Sequence, residues 1–127
     1  MESKDREIIV GENRIYLGED NILYFINVGE IDGKIAQQGA AAMAKLANMG
    51  KGTVNYLIDL NKGGKATTEA RQILREYTEK DVKGKLAFWG LHPVARVLAS
   101  FFMGVTRKRD MRFFKTKEEA LAWLKER

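Results

Sequence analysis

Cysteine is absent from the 127 residues, and histidine and proline each occur once. Without cysteine there is no disulfide, no thiolate metal ligand and no cysteine nucleophile. A lone histidine, His92, leaves metal binding and triad chemistry without the partners they need. No apolar run reaches the length of a membrane span, and the N-terminus, Met1-Glu-Ser-Lys-Asp-Arg-Glu, lacks the apolar stretch of a signal peptide. The expectation is one cytoplasmic domain spanning residues 1–127, large enough to bury a single core.

What is present is an ordinary globular balance, 45% hydrophobic and 31% charged. The net charge of +5 is placed unevenly. Between Gly104 and Lys117 stand Arg107, Lys108, Arg109, Arg112, Lys115 and Lys117 against Asp110 alone, so this segment carries the whole excess. A local patch of this kind attracts anionic partners better than a diffuse excess.

The first thirty residues read as strands. Ile8-Ile9-Val10 and Arg14-Ile15-Tyr16-Leu17 flank a short Gly-containing connection, and Ile22 to Val28 follows a second turn. This predicts an antiparallel meander. The pattern then changes to alternating helix and strand. Ile31 to Asn48 carries Ile35, Gly39, Met43 and Leu46 on one helical face, with Asp32 as N-cap. Thr53–Ile58 is a strand ending at Asp59, and a helix runs from Thr67 or Thr68 to about Glu79 with Ala70, Ile73, Leu74 and Tyr77 inward. Lys85–Trp89 is the next strand. Pro93 suits the first turn of the helix that runs to Met103. Met111–Phe114 is a last strand, and Thr116-Lys-Glu-Glu119 opens a final helix with capping-box spacing. Strands joined by helical crossovers give an α/β fold: a mixed sheet with an antiparallel N-terminal meander and about four helices.

From about Ile22 to the C-terminus the chain resembles STAS domains, in particular the SpoIIAA-like group also described as STAS/SEC14-like. The resemblance is carried by Val54-Asn-Tyr-Leu-Ile-Asp-Leu60, by Ala87-Phe-Trp-Gly90, and above all by Met111-Arg-Phe-Phe-Lys-Thr-Lys-Glu-Glu-Ala-Leu-Ala-Trp-Leu124. It implies a small sheet with helices on one side, no enzymatic activity, no cofactor, and a role in binding proteins, nucleotides or lipids. In the anti-sigma-factor antagonists of that family, a serine at the start of the helix after the Asp-containing strand is phosphorylated. Here the matching stretch runs from Asp59 to Thr68; the usual Asp-Ser pair is absent and Thr67 or Thr68 takes its place.

Three segments are candidate sites. The stretch Asn61–Thr68, with Gly63, Gly64 and Lys65 before Thr67 and Thr68, reads as a loop entering a helix, where free N–H groups favour a phosphate. Ala66 follows Gly64-Lys65 where a Walker loop needs Ser or Thr, and Asp59 stands where its first glycine belongs. An ordinary threonine N-cap is the preferred explanation. The helix after Pro93 is apolar over about 240° of its wheel at about 100° per residue, more than one buried stripe needs. Packing on a sheet should hide Val94, Val97, Leu98 and Phe101. That leaves Ala99, Phe102 and Met103 to be covered by a second copy, by another protein, by a small hydrophobic ligand, or by the C-terminal helix with Trp123 and Leu124. Val97, Leu98, Phe101, Phe102 and Met103 are therefore the candidate partner or ligand surface.

The basic segment, with Arg107, Lys108, Arg109 and Arg112, admits a solvated loop, a membrane-surface anchor or a nucleic-acid patch. Aromatic side chains are not interleaved for base stacking, so nucleic acid is set aside and the solvated loop preferred. His92, between a strand end and a helix start, reads as a hydrogen-bonding residue; catalysis with Asp59 is a remote alternative. The leading expectation is a regulatory domain acting through protein association, with itself or another protein. The alternative is a carrier or sensor of a small hydrophobic or lipid-like ligand.

Overall fold

A computed structural model describes residues 6–103 and 110–126, with the side chains of residues 101 and 102 outside that description. The chain runs β1 (Glu7–Val10), β2 (Asn13–Leu17), β3 (Ile22–Ile31), α1 (Gly33–Ala47), β4 (Asn55–Ala66), α2 (Thr68–Asp81), β5 (Leu86–Trp89), α3 (Pro93–Met103), β6 (Met111–Phe114) and α4 (Lys117–Leu124). The six strands form one sheet in the order β1-β2-β3-β4-β5-β6. The first three are antiparallel, and β3 to β6 are parallel neighbours. This is the mixed sheet with four helices that the sequence pattern predicts.

Topology decides which face each helix covers. Three successive crossovers step across the sheet in one direction, and right-handed connections then place α1, α2 and α3 on the same face. Leu23 and Phe25 on β3, Tyr56 and Leu60 on β4, and Leu86 and Phe88 on β5 point into that layer. Met43 and Leu46 of α1 meet them from above. The helix α4 is not a crossover and is free of this constraint. It lies on the opposite face, where Ala120 and Leu124 pack with Ile22, Leu57 and Ala87. The expected arrangement of helices on one side is thus corrected, and α4 cannot serve as the cover for α3.

Local chemistry sets the element ends. Asp32 caps α1 by accepting from the Ile35 N–H at 2.9 Å, Thr67 caps α2 through Ala70 N–H at 3.1 Å, and Thr116 caps α4 through Glu119 N–H at 3.1 Å. Two borders differ from expectation. Ile31 ends β3 rather than starting a helix. The strand β4 runs on through Asn61–Ala66, the segment expected as a loop. It pairs with β3 there (Val28 with Lys62, Gly29 with Gly63, Ile31 with Ala66), across two register shifts that each place an extra residue on β4. A Cβ on Gly63 would come within 2.4 Å of Asn27 Oδ1, and one on Gly64 within 3.0 Å of the Gly29 carbonyl carbon. The two glycines thus permit close strand contact at a bulge, which is a structural use of residues that resemble a phosphate loop.

A buried amide pair secures this region. Asn13 Oδ1 accepts from Asn27 Nδ2 at 2.9 Å and from Val28 N–H at 2.8 Å, while Asn13 Nδ2 donates to the Val10 carbonyl at 2.9 Å. Both side chains are almost fully buried, so these bonds offset a desolvation cost that would otherwise fall on the β2–β3 junction.

Candidate ligand cavity

The layer between the sheet and its three crossover helices is not filled. Small residues explain why. Gly33 of α1 lies so close to α2 that an added Cβ would meet the Glu69 carboxylate within 2.1 Å, and Ala36 and Ala70 are buried in the seam between the two helices. This close approach seats α2 against α1, over Ile31 and Ala66, rather than down on the middle of β4. Among the described side chains of α3, Ala95 and Ala99 are the ones turned fully inward, at 1% and 0% exposure. Its bulkier Val94 and Val97 stand out at 60% and 51%. That corrects the expectation that Val94 and Val97 pack on the sheet. Alanine lets a helix approach a sheet but brings little volume to fill the space beneath it.

What remains is a cavity of about 280 Å³. Its floor is Phe25 of β3, Tyr56, Ile58 and Leu60 of β4, and Leu86 and Phe88 of β5. Its roof is Leu74, Tyr77 and Thr78 of α2 with Val82, and its sides are Met43 of α1 and Leu98 of α3. One end is closed by buried Tyr56, Tyr77, Thr78, Val82 and Leu86. The other end meets Gly64, Lys65, Ala66 and Arg71, of which Lys65 is exposed and the rest half-buried. Lys65 is the exposed member of the described lining, so the opening is assigned to this end, at the junction of β4 and α2.

The closed end holds a buried pair of hydroxyls. The Tyr56 and Tyr77 hydroxyls lie 2.7 Å apart, with their rings edge to face at 6.3 Å. Burial is the main force pushing both phenol pKa values up; for Tyr77 the hydrogen bond it shares with Tyr56 adds to the shift. Both groups are therefore neutral hydroxyls at physiological pH. The pair has two O–H protons and uses one between its own oxygens, leaving the second for an acceptor in the cavity. Thr78 Oγ1 is engaged with the Leu74 carbonyl at 2.8 Å. Among the described residues that line the cavity there is no carboxylate and no imidazole.

The anticipated site residues fall in different places. Leu98 lines the cavity, Met103 packs half-buried on the main core, and Val97 faces solvent. The side chains of Phe101 and Phe102 lie outside the described residues, as do Arg107, Lys108 and Arg109. Arg112 lies on the opposite face of the sheet beside α4, 5.2 Å from the Phe114 ring centre and 5.6 Å from that of Trp123. Thr67 spends its hydroxyl on the cap, and Thr68 is exposed at the first position of α2. Asp59 accepts from the Asn61 backbone N–H at 2.9 Å and side-chain Nδ2 at 2.8 Å. His92 is exposed and offers its carbonyl to Ala95 N–H at 3.0 Å. No hydrogen bond or ion pair joins it to Asp59 among the described residues. Tyr56, Tyr77, Leu74 and Arg71 were not singled out as site residues from the sequence.

The sequence profile of a family described as a domain of unknown function, DUF7793, matches residues 16–127. The chain belongs to the DUF7793 family. No curated protein matches this DUF7793 member. Solved structures that share its fold include the following two. An uncharacterized protein of the DUF3478 family with a SpoIIAA-like fold, from Shewanella loihica PV-4, superposes with a TM-score of 0.65 at 20% identity, over 88% of this chain and 91% of that one. The anti-sigma factor antagonist SpoIIAA in its unphosphorylated form gives 0.59 at 15% identity, over 87% and 94%. The fold is SpoIIAA-like, as the STAS resemblance implies.

Proposed function

We propose that this DUF7793 domain is a non-enzymatic binding module that holds a small, largely apolar molecule between β4 and α2. The observation that carries this is the cavity. At about 24 cal/mol per Å³, an unfilled void of 280 Å³ represents on the order of 6–7 kcal/mol of missing packing, an upper figure because one end is open. That is comparable with the whole net stability of a typical domain, about 5–15 kcal/mol. A well-formed apolar pocket is the default place for a small ligand to bind. Its volume lies at the lower edge of ordinary ligand pockets, about 300–1,000 Å³, so the occupant is small. The test is titration of ligand-stripped protein with the neutral fluorophore N-phenyl-1-naphthylamine. A saturable emission rise, one site per chain, supports the proposal; unquenched baseline emission at all protein concentrations refutes it.

A second reading, association with protein partners, is favoured by a separate observation. Leu91, Val94 and Val97 are exposed at 69%, 60% and 51%, together at the start of α3. Apolar groups gathered in this way mark interaction surfaces more often than isolated ones do. The shared fold with an anti-sigma factor antagonist supports a regulator whose partner is another protein, and self-association through α3 is the simplest form of it. Light scattering at high protein concentration tests this form: a dimer that Val97→Asp converts to a monomer supports it, and a monomer throughout contradicts it.

A further inference from the structure

We infer that the occupant of the cavity is a single-chain amphiphile with an anionic head, its hydrocarbon body in the cavity and its head at Lys65 and Arg71. This rests on the cavity being a ligand site and names the chemistry it selects.

The described lining of the cavity is asymmetric in charge. Among the described lining residues, the groups charged at neutral pH are Lys65 and Arg71, both cations. They stand at the same end. Lys65 precedes the last residue of β4, and Arg71 is the fourth residue of α2, its N–H bonded to the Thr67 carbonyl at 2.9 Å. The Arg71 Nη2 lies 3.4 Å from Thr68 Oγ1 in the first turn of α2, and Arg71 lines the cavity with Lys65. The opposite end is sealed by neutral phenols, so a ligand charge buried there would have at most one neutral donor and no counter-charge, which is costly. A charged head is therefore placed at the mouth, where a cation would be repelled and an anion receives charge-assisted hydrogen bonds. Arginine's planar fork suits carboxylate and phosphate oxygens alike. The volume of about 280 Å³, just under the ordinary range of ligand pockets, suits a small single-chain body.

The test uses displacement of N-phenyl-1-naphthylamine from ligand-stripped protein by four probes of equal chain length, each below its micellar concentration. These are dodecanoate, dodecyl phosphate, dodecanol and dodecyltrimethylammonium. The quantity read is the ratio of anion to alcohol affinity in each variant. In the wild type, at least one of the two anions should bind about tenfold or more tightly than dodecanol, and the ammonium probe weakest. Which anion wins identifies the head as carboxylate or phosphate. In Lys65→Gln and in Lys65→Gln with Arg71→Gln the ratio should fall stepwise toward one. Lys65 is exposed, so its single variant reports even if the double variant folds poorly, and circular dichroism checks both. Equal affinity of dodecanol and both anions, with the fluorophore still bound, overturns the anionic head and leaves the cavity proposal standing. Absence of fluorophore binding removes both.

Discussion

Leu74→Trp is the perturbation that separates a functional void from an incidental one. Leu74 lies on α2, half-buried, with β4 and β5 across the cavity from it. A larger ring there extends into space already empty. Filling a fifth of 280 Å³, roughly 56 Å³, at about 24 cal/mol per Å³ is worth about 1.3 kcal/mol. For a chain of this size that corresponds to a rise in melting temperature of about 4–6 °C. Forced rotamers typically subtract about 1–3 kcal/mol when a core is already full, so the sign of the change reports whether the space exists. Calorimetry on ligand-stripped protein gives the stability, and fluorophore titration gives binding. The expected result is a more stable protein that binds the probe at least about tenfold more weakly. A destabilised variant with wild-type probe affinity would refute both the void and its use.

Other expectations follow from single contacts. Tyr56 and Tyr77 have folded pKa values above the unfolded value of 10.0, so above that pH the unfolded chain releases protons that the folded chain keeps. Their contribution is fully present below pH 10 and is lost as pH rises further; urea melts at pH 9 and pH 11 should show a smaller loss for Tyr77→Phe than for wild type. Asn13→Ala leaves the Val28 N–H without its acceptor and removes the Asn27 amide's 2.9 Å partner, costing about 2–4 kcal/mol by urea unfolding. Val97→Asp, at an exposed position, should leave unfolding within about 0.5 kcal/mol of wild type while abolishing any dimer seen by light scattering. Gly63→Ala should destabilise more than a surface change, because its methyl would meet Asn27 Oδ1; a neutral outcome in the same melts would contradict the bulge geometry.

Most of the elements were legible because their signals are local. Asp32, Thr67 and Thr116 announce three helices by side-chain chemistry within three residues, and all three act as caps. The misreadings share a different cause. In α3 the wheel weighs hydrophobicity, whereas the sheet selects for close approach, so Ala95 and Ala99 go inward and the valines outward. In β4 the run Asn-Lys-Gly-Gly-Lys has the composition of a turn, yet long-range pairing with β3 across two bulges makes it strand. The position of α4 did leave a trace. Tyr56-Leu57 and Leu86-Ala87-Phe88 are apolar at consecutive positions, the mark of strands covered on both faces. The cavity left none, since a void depends on how far apart neighbouring elements settle and not on the period of any one of them. Arg71 was unremarkable in sequence and acquires meaning only beside Lys65 at the open end.

The central claim is that the space between β4 and α2 is occupied in the working protein. Native mass spectrometry of freshly purified protein, followed by denaturing extraction of any added mass, addresses it directly. The account predicts a chain carrying one small, extractable amphiphile, lost in Leu74→Trp. A chain of bare mass that also takes up no added N-phenyl-1-naphthylamine would contradict it.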